Sequence, residues 1–202
     1  MEYYGDNPAS KAKDSLRDVF GNINGLIHFL DNDKDMDIWY KVRQLQADSL
    51  GLSELNLDWR LVPKEANMYA RLRQGEQTPA KSVVAYNTSS TPITKVQYGG
   101  CATISFGSLI PRVVATERDP SGLGRWVSQL LEGRKDHRTR LVAGYFPCKN
   151  MGQKTVYTQH RSHFNKLPED HPQWKAEPLK SSIHAFKGSA FHWGWSSGNL
   201  LK

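Results

Sequence analysis

The chain reads as short apolar runs separated by Gly, Pro and charged turns, with three stretches at helical spacing. From Leu16 the run LRDVFGNING predicts a strand that stops at an Asn-Gly turn. The acidic stretch 31–37 then leads into an amphipathic helix carrying Ile38, Val42 and Leu45 at i, i+4 and i+7. DSLGLSELN (48–56) reads as a buried strand with Glu54 at its end, and residues 60–80 as polar and helical around 65–73. KSVVAYN is a short strand followed by the turn-rich NTSSTP. GGCATISF, SLIPRVVAT, GRWVSQLLEG and TRLVAGYFP are further strands, and TVYTQHRSHFNK is a helix with Tyr157, His160 and Phe164 on one face. Strand, helix, strand and a run of strands predict a layered α/β or α+β sandwich. Residues 1–15 form a polar lead-in. Residues 167–202 hold three of the six Trp without either period and read as a poorly ordered tail unrelated to the domain.

Composition narrows the classes. A length of 202 residues fits one domain with a real core. No apolar run approaches the ~20 residues of a spanning helix, and no signal-peptide core opens the chain. The expected place is therefore intracellular, nuclear or cytoplasmic, neither secreted nor in a membrane. Two cysteines, Cys101 and Cys148, exclude a disulfide scaffold.

Charge adds a partner. The formal net charge is +7 and the pI about 9.4. Between Arg112 and Arg161 ten Lys/Arg stand against four acids, interleaved with Trp126, Tyr145 and Tyr157. Such a stretch suits nucleic acid, with Arg125, Arg134, Lys135, Arg138 and Arg140 as contacts. The plainer reading is a solvated face on strands buried from behind.

Most isolated motifs carry little. Asp31, Asp33 and Asp35 imitate a calcium loop, but Met36 and Val42 stand where Gly and Glu are required. They read better as a charge cluster at a helix start. His160 and His163, with Cys148 or His171, make a weak zinc pattern. Asn87-Thr88-Ser89 matches a glycosylation sequon and reads more simply as a turn. The Asn-x-Asn-Gly turn after the first strand and Glu54 after the second are more informative together. A strand-end carboxylate is costly unless it binds something, commonly a divalent cation.

GNINGL (21–26), GLSELNLDW (51–59), YGGCATISF (98–106) and LVAGYFPCKN (141–150) stand in the order of four motifs of the endonuclease/exonuclease/phosphatase superfamily, which the chain resembles over about residues 16–166. Those motifs are an N-x-[ND]-G turn, a strand ending in Glu, a Gly-Gly-x-Ala strand and a Tyr-x-Pro strand. DPSGLGRW (119–126) and the 155–164 helix look like the reverse-transcriptase-associated subgroup of retroelements. The resemblance implies a four-layer sandwich of mostly antiparallel or mixed sheets with flanking helices, present here in part. It also implies metal-dependent hydrolysis of phosphoesters, with Mg²⁺ or Mn²⁺ as cofactor and DNA as the expected partner. Position by position, Glu54 matches the metal-ligating glutamate, with Asn24 in the metal's neighbourhood. Asn22 matches the asparagine near the phosphate, and Tyr145 the tyrosine that contacts it.

The family pattern continues into Gly-Asp-x-Asn and Ser-Asp-His motifs that handle the water, and neither is found past residue 150. The expectation is an N-terminal half of the domain, inactive in this chain. Supplying little more than one sheet, it would self-associate through apolar faces at 101–106 and 141–146. Two other readings stand beside it, a non-catalytic nucleic-acid-binding module and a phosphatase acting on small phosphoesters.

Overall fold

The structure, a computed structural model, describes residues 11, 15–26, 32–75, 79–88, 97–134, 137–145, 155–166 and 190–194. The polar lead-in, apart from Lys11 and Ser15, falls outside them. So do the 89–96 loop, Lys135, Cys148, His171, the Phe and Pro of the Tyr-x-Pro motif, and the tail except 190–194.

Two four-stranded sheets form. The first contains β1 (Asp18–Asn22), β2 (Ser49–Ser53), β3 (Ala80–Ala85) and β4 (Cys101–Phe106), in the order β1-β2-β4-β3. Its β1–β2 pair is parallel, as it must be when helix α1 (Asn32–Gln44) carries the chain back between them. The second sheet contains β5 (Val113–Arg118), β6 (Trp126–Glu132), β7 (Arg138–Gly144) and β8 (Ala190–Gly194), in that order. Here β5, β6 and β7 are antiparallel neighbours, and β7–β8 is parallel with α3 (Val156–Phe164) between them in sequence. Each sheet thus carries one parallel pair at an edge. The segment read as an appended tail supplies strand β8.

Alternation along β2 and β4 explains the layering. Leu50 and Leu52 pair with Ile104 and Ala102 and share a face. That face packs under Ile38, Trp39 and Val42 of α1 and Met68 and Leu72 of α2 (Met68–Gly75), which together form the main core. The opposite face is small and polar: Ser49, Gly51 and Ser53 lie across from Ser105, Thr103 and Cys101. This face meets the second sheet, with β2 opposite β7 and β4 opposite β6 and β7. Gln129 of β6 crosses the seam. Its Oε1 accepts from Ser105 Oγ at 2.5 Å, and its Nε2 donates to the Lys81 carbonyl at 3.0 Å. Small residues let Phe20 fit between the layers, because a Cβ at Gly51 would stand within its ring.

Three expectations change. The chain builds both sheets, and Cys101, Ala102, Ile104, Leu141, Val142 and Ala143 are all buried. The apolar faces expected to drive self-association are therefore covered. SLIPRVVAT is half strand only, because Gly107–Arg112 form a 3-10 helix, with Pro111 inside it, before β5 begins. Asp35 does not join an exposed charge cluster. It is buried and pairs with Arg71 of α2 at 2.8 Å, which ties the two helices together. No helix among the described residues is long and apolar enough to cross a membrane.

Candidate functional site

β1 and β2 run parallel, and β7 lies opposite β2, so Asn22, Glu54 and Tyr145 reach the same end of the sandwich. Backbone bonds lace the loops there. Gly25 N–H donates to the Glu54 carbonyl at 2.7 Å and Leu26 N–H to the Leu55 carbonyl at 2.8 Å. Leu55 N–H donates to the Gly100 carbonyl, and Gly100 N–H to the Gly124 carbonyl, both at 3.2 Å. Asn22 Oδ1 accepts the Asn24 N–H at 2.9 Å and closes the Asn-x-Asn-Gly turn.

The backbone at this end is strained. Asn24, Glu54 and Asn56 have φ of 46°, 56° and 49°, and Gly25, Gly99, Gly100, Gly122 and Gly124 are also left-handed. Asn tolerates that region and Glu does so less readily. Strain of this kind persists where surrounding structure holds it, and it clusters at working sites. Glu54 is half-buried, Asn24 exposed and Asn22 half-buried, whereas Tyr145 is buried. The Tyr145 ring lies beside Gly99, its Cδ1 and Cε1 3.5 Å from where a side chain there would begin, an ordinary contact distance.

Behind Tyr145 sits a buried ion pair. Arg125 is 3 % exposed, and its Nε and Nη2 donate to the two carboxylate oxygens of Asp119 at 3.1 and 3.3 Å. Its carbonyl accepts the Tyr145 N–H at 2.7 Å and the Cys101 thiol at 3.4 Å. Burial works to raise the Asp119 pKa, but the charge and hydrogen bonds of Arg125, with Ser121, outweigh it and hold the carboxyl below its usual range. Burial, with the charges of Asp119 and Glu54, pushes the Cys101 thiol well up, so it stays protonated.

α3 closes over this pair. Thr155 caps it in a box with Thr158. Gln159 Oε1 accepts from Asn87 Nδ2 at 2.6 Å. His160 is 3 % exposed, and neither ring nitrogen has a hydrogen-bond partner among the described residues. Burial above all, then the Arg125 charge, lowers its pKa to about 3, so the ring is neutral. His163 is only half-buried. Asn87, 1 % exposed and bonded to α3, is a packing residue and no surface acceptor for a sugar.

The basic residues divide. Arg125 does not join a surface patch. Arg134 and Arg138 are exposed at the turn between β6 and β7, and Arg140 bonds Glu117 and Ser128 at 2.7 and 3.1 Å. Since β7 runs from Arg138 toward Tyr145, its seven residues put that turn about 20 Å from the candidate site. The sequence reading passed over Asn56, Asn87, Asp119 and Cys101 as builders of this end. An Asn two residues beyond a strand-end Glu is the signal that was available for Asn56, as a residue suited to a left-handed position.

No family model matches the sequence, and no curated protein does. Among solved structures the chain is similar to the 3′ phosphatase NExo from Neisseria, bound to a product DNA hairpin, at 18 % identity and a TM-score of 0.43. That match covers 75 % of this chain and 49 % of the Neisseria chain. An endonuclease/exonuclease/phosphatase family protein from Leptotrichia buccalis matches at 13 % identity and a TM-score of 0.46, covering 77 % of this chain and 64 % of that one. The chain thus spans about half the length of the Neisseria protein. Scores of this size carry no argument about activity, and the functional reading stands on the residues above.

Proposed function

We propose that this end of the sandwich is a divalent-metal-dependent phosphodiester hydrolase site of endonuclease type, of retroelement origin, of which the chain holds the metal side. The observation behind the reading is the convergence of Asn22, Asn24, Glu54 and Tyr145 from both sheets on one end, with Glu54 and Asn24 held in left-handed backbone. The donor set suits a hard cation. Glu54 offers a carboxylate, with the neutral amides of Asn24 and Asn22 beside it, the Asn22 Oδ1 already accepting the Asn24 N–H. Mg²⁺ binds through one or two carboxylates, keeps several waters and completes its shell with substrate phosphate. Among the described residues no three His, Cys, Asp or Glu side chains gather at metal-binding distance, so Glu54 is the charged ligand of this proposal.

When bound, the cation supplies charge neutralisation at a phosphate oxygen. The chain's own groups do the rest of the holding. The Asn22 amide orients a phosphate oxygen, and the Tyr145 phenol donates to another from a ring beside Gly99 and a backbone held by the Arg125 carbonyl. Groups to position and deprotonate the attacking water are not supplied by any Asp-x-Asn or terminal Asp-His in this sequence past residue 150. The chain alone is expected to leave supercoiled plasmid intact in Mg²⁺. Nicking that disappears in Glu54→Ala would show that it carries the water-activating groups after all.

A second reading, a non-catalytic nucleic-acid-binding module, is favoured by the exposed Arg134 and Arg138 at the far end of β7. Binding that depends on those two and ignores Glu54→Gln would support it.

A further inference from the structure

Asn56 lies two residues beyond Glu54 and touches the neighbouring segments on both sides. Its backbone N–H donates to the Gly99 carbonyl at 2.7 Å, and its Oδ1 accepts the Gly99 N–H at 2.8 Å. The pairing is reciprocal, so Gly99 cannot slide past residue 56 without breaking both bonds. On its other side, Asn56 Cβ and Nδ2 lie 3.4 and 3.7 Å from where a side chain at Gly25 would begin. The Asn24-Gly25 turn therefore lies beside Asn56. The Tyr145 ring lies beside Gly99 in turn.

We propose that Asn56 is a positioning residue that fixes the Tyr145 ring relative to the Glu54 carboxylate and the Asn24-Gly25 turn. The inference rests on the reading of Glu54 and Tyr145 given above. The need is geometric. Glu54 follows β2 of the first sheet and Tyr145 follows β7 of the second, and Gly99, which Asn56 holds through both its N–H and its carbonyl, is the first-sheet backbone beside which the Tyr145 ring lies. The Gly100 N–H to the Gly124 carbonyl and the Cys101 thiol to the Arg125 carbonyl already tie the sheets at this end, so what Asn56 adds is the placement of Gly99 next to the ring. Residue choice agrees with the role. At φ 49° Asn is among the few side chains that sit without large strain, and its short amide reaches a neighbouring N–H from that position. A reacting group displaced by about 1 Å can cost on the order of 100-fold in rate.

Two substitutions separate the clamp from the backbone. Asn56→Gly keeps the left-handed conformation and deletes the amide, whereas Asn56→Asp keeps the acceptor oxygen. The full chain is labelled with fluorotyrosine, and Tyr145→Phe assigns the Tyr145 line. Asn56→Gly should move that line and speed hydrogen exchange at the Gly99 amide about tenfold, the equivalent of one lost hydrogen bond. Asn56→Asp should restore both. A Tyr145 line unmoved in Asn56→Gly, or one displaced as far in Asn56→Asp, overturns the proposal. If Asn56→Gly does not fold, Asn56→Asp still decides, because faster Gly99 exchange with the acceptor retained contradicts the clamp. Adding Mn²⁺ to the same samples separates this inference from the one beneath it. Broadening of the Tyr145 line in the wild type, reduced in Asn56→Gly, supports the coupling. A wild type with no broadening refutes the metal reading, while the shift at Tyr145 still judges the clamp.

Discussion

Protonating His160 would set a second cation against Arg125 in a site that is nearly closed to water. Arg125, Asp119 and His163 are the charged or titratable groups that act on the ring. Its folded pKa of about 3 lies below the ordinary value of 6.5, so the unfolded chain takes up the proton first as pH falls. Stability contributed by neutral His160 is present above about pH 6.5 and is lost progressively toward pH 3, at up to about 1.4 kcal/mol per unit. The depressed Asp119 acts lower, losing its contribution as pH falls through its own folded pKa, which is below 3.8. Urea midpoints compared at about pH 7.5 and pH 5 should therefore fall in the wild type and change less in His160→Leu. Equal slopes in the two proteins would contradict the burial. At this scale the Asn-x-Asn-Gly turn and the strand-end Glu54 were legible as local signatures, and the structure places both, with Tyr145, at one end of the sandwich. The sequence reading placed Arg125 on the surface, where the structure buries it. Counting charge along a chain does not say which side chain folds inward, and the partner that makes a buried Arg tolerable, Asp119, is recognisable only in space.

α1 and α2 meet through Asp35 and Arg71, both buried, with Arg71 Nε also donating to the Ala66 carbonyl at 2.8 Å. Arg71→Met leaves Asp35 inside without its countercharge and should cost about 3–5 kcal/mol in urea unfolding. Replacing both, with Asp35→Leu added, should recover most of that loss, since an apolar pair of similar volume avoids the desolvation cost. A double variant as unstable as the single one would contradict this view of the helix layer. Strand positions were legible because Gly and Pro punctuate them. Which face of β2 turns to which layer was not. Ser-Leu-Gly-Leu-Ser shows two unlike faces, yet only pairing with Cys101, Thr103 and Ser105 reveals that the small polar face meets a second sheet. The number of sheets was misjudged for the same reason. Absent catalytic motifs speak to chemistry, and of the strands that close the sandwich β5, β6 and β8 carry none of the four motifs.

At the scale of the molecule, the basic turn and the candidate site lie at opposite ends of β7, and their contributions should separate in solution. Duplex DNA is expected to bind with strong salt dependence and little sequence preference. Arg134→Ala with Arg138→Ala should lower the logarithmic salt slope by about 2, whereas Arg140, already engaged by Glu117, should matter less. An unchanged slope would remove the basic turn from the interface. The account of the site itself turns on Glu54. Calorimetric titration of the full chain with Mg²⁺, repeated with Mn²⁺ and with Glu54→Gln, is the measurement that decides it. Weak binding, on the order of millimolar as one carboxylate and two amides allow, should be found in the wild type and abolished by the substitution. Tight binding that survives Glu54→Gln, or no binding in the wild type, would contradict it.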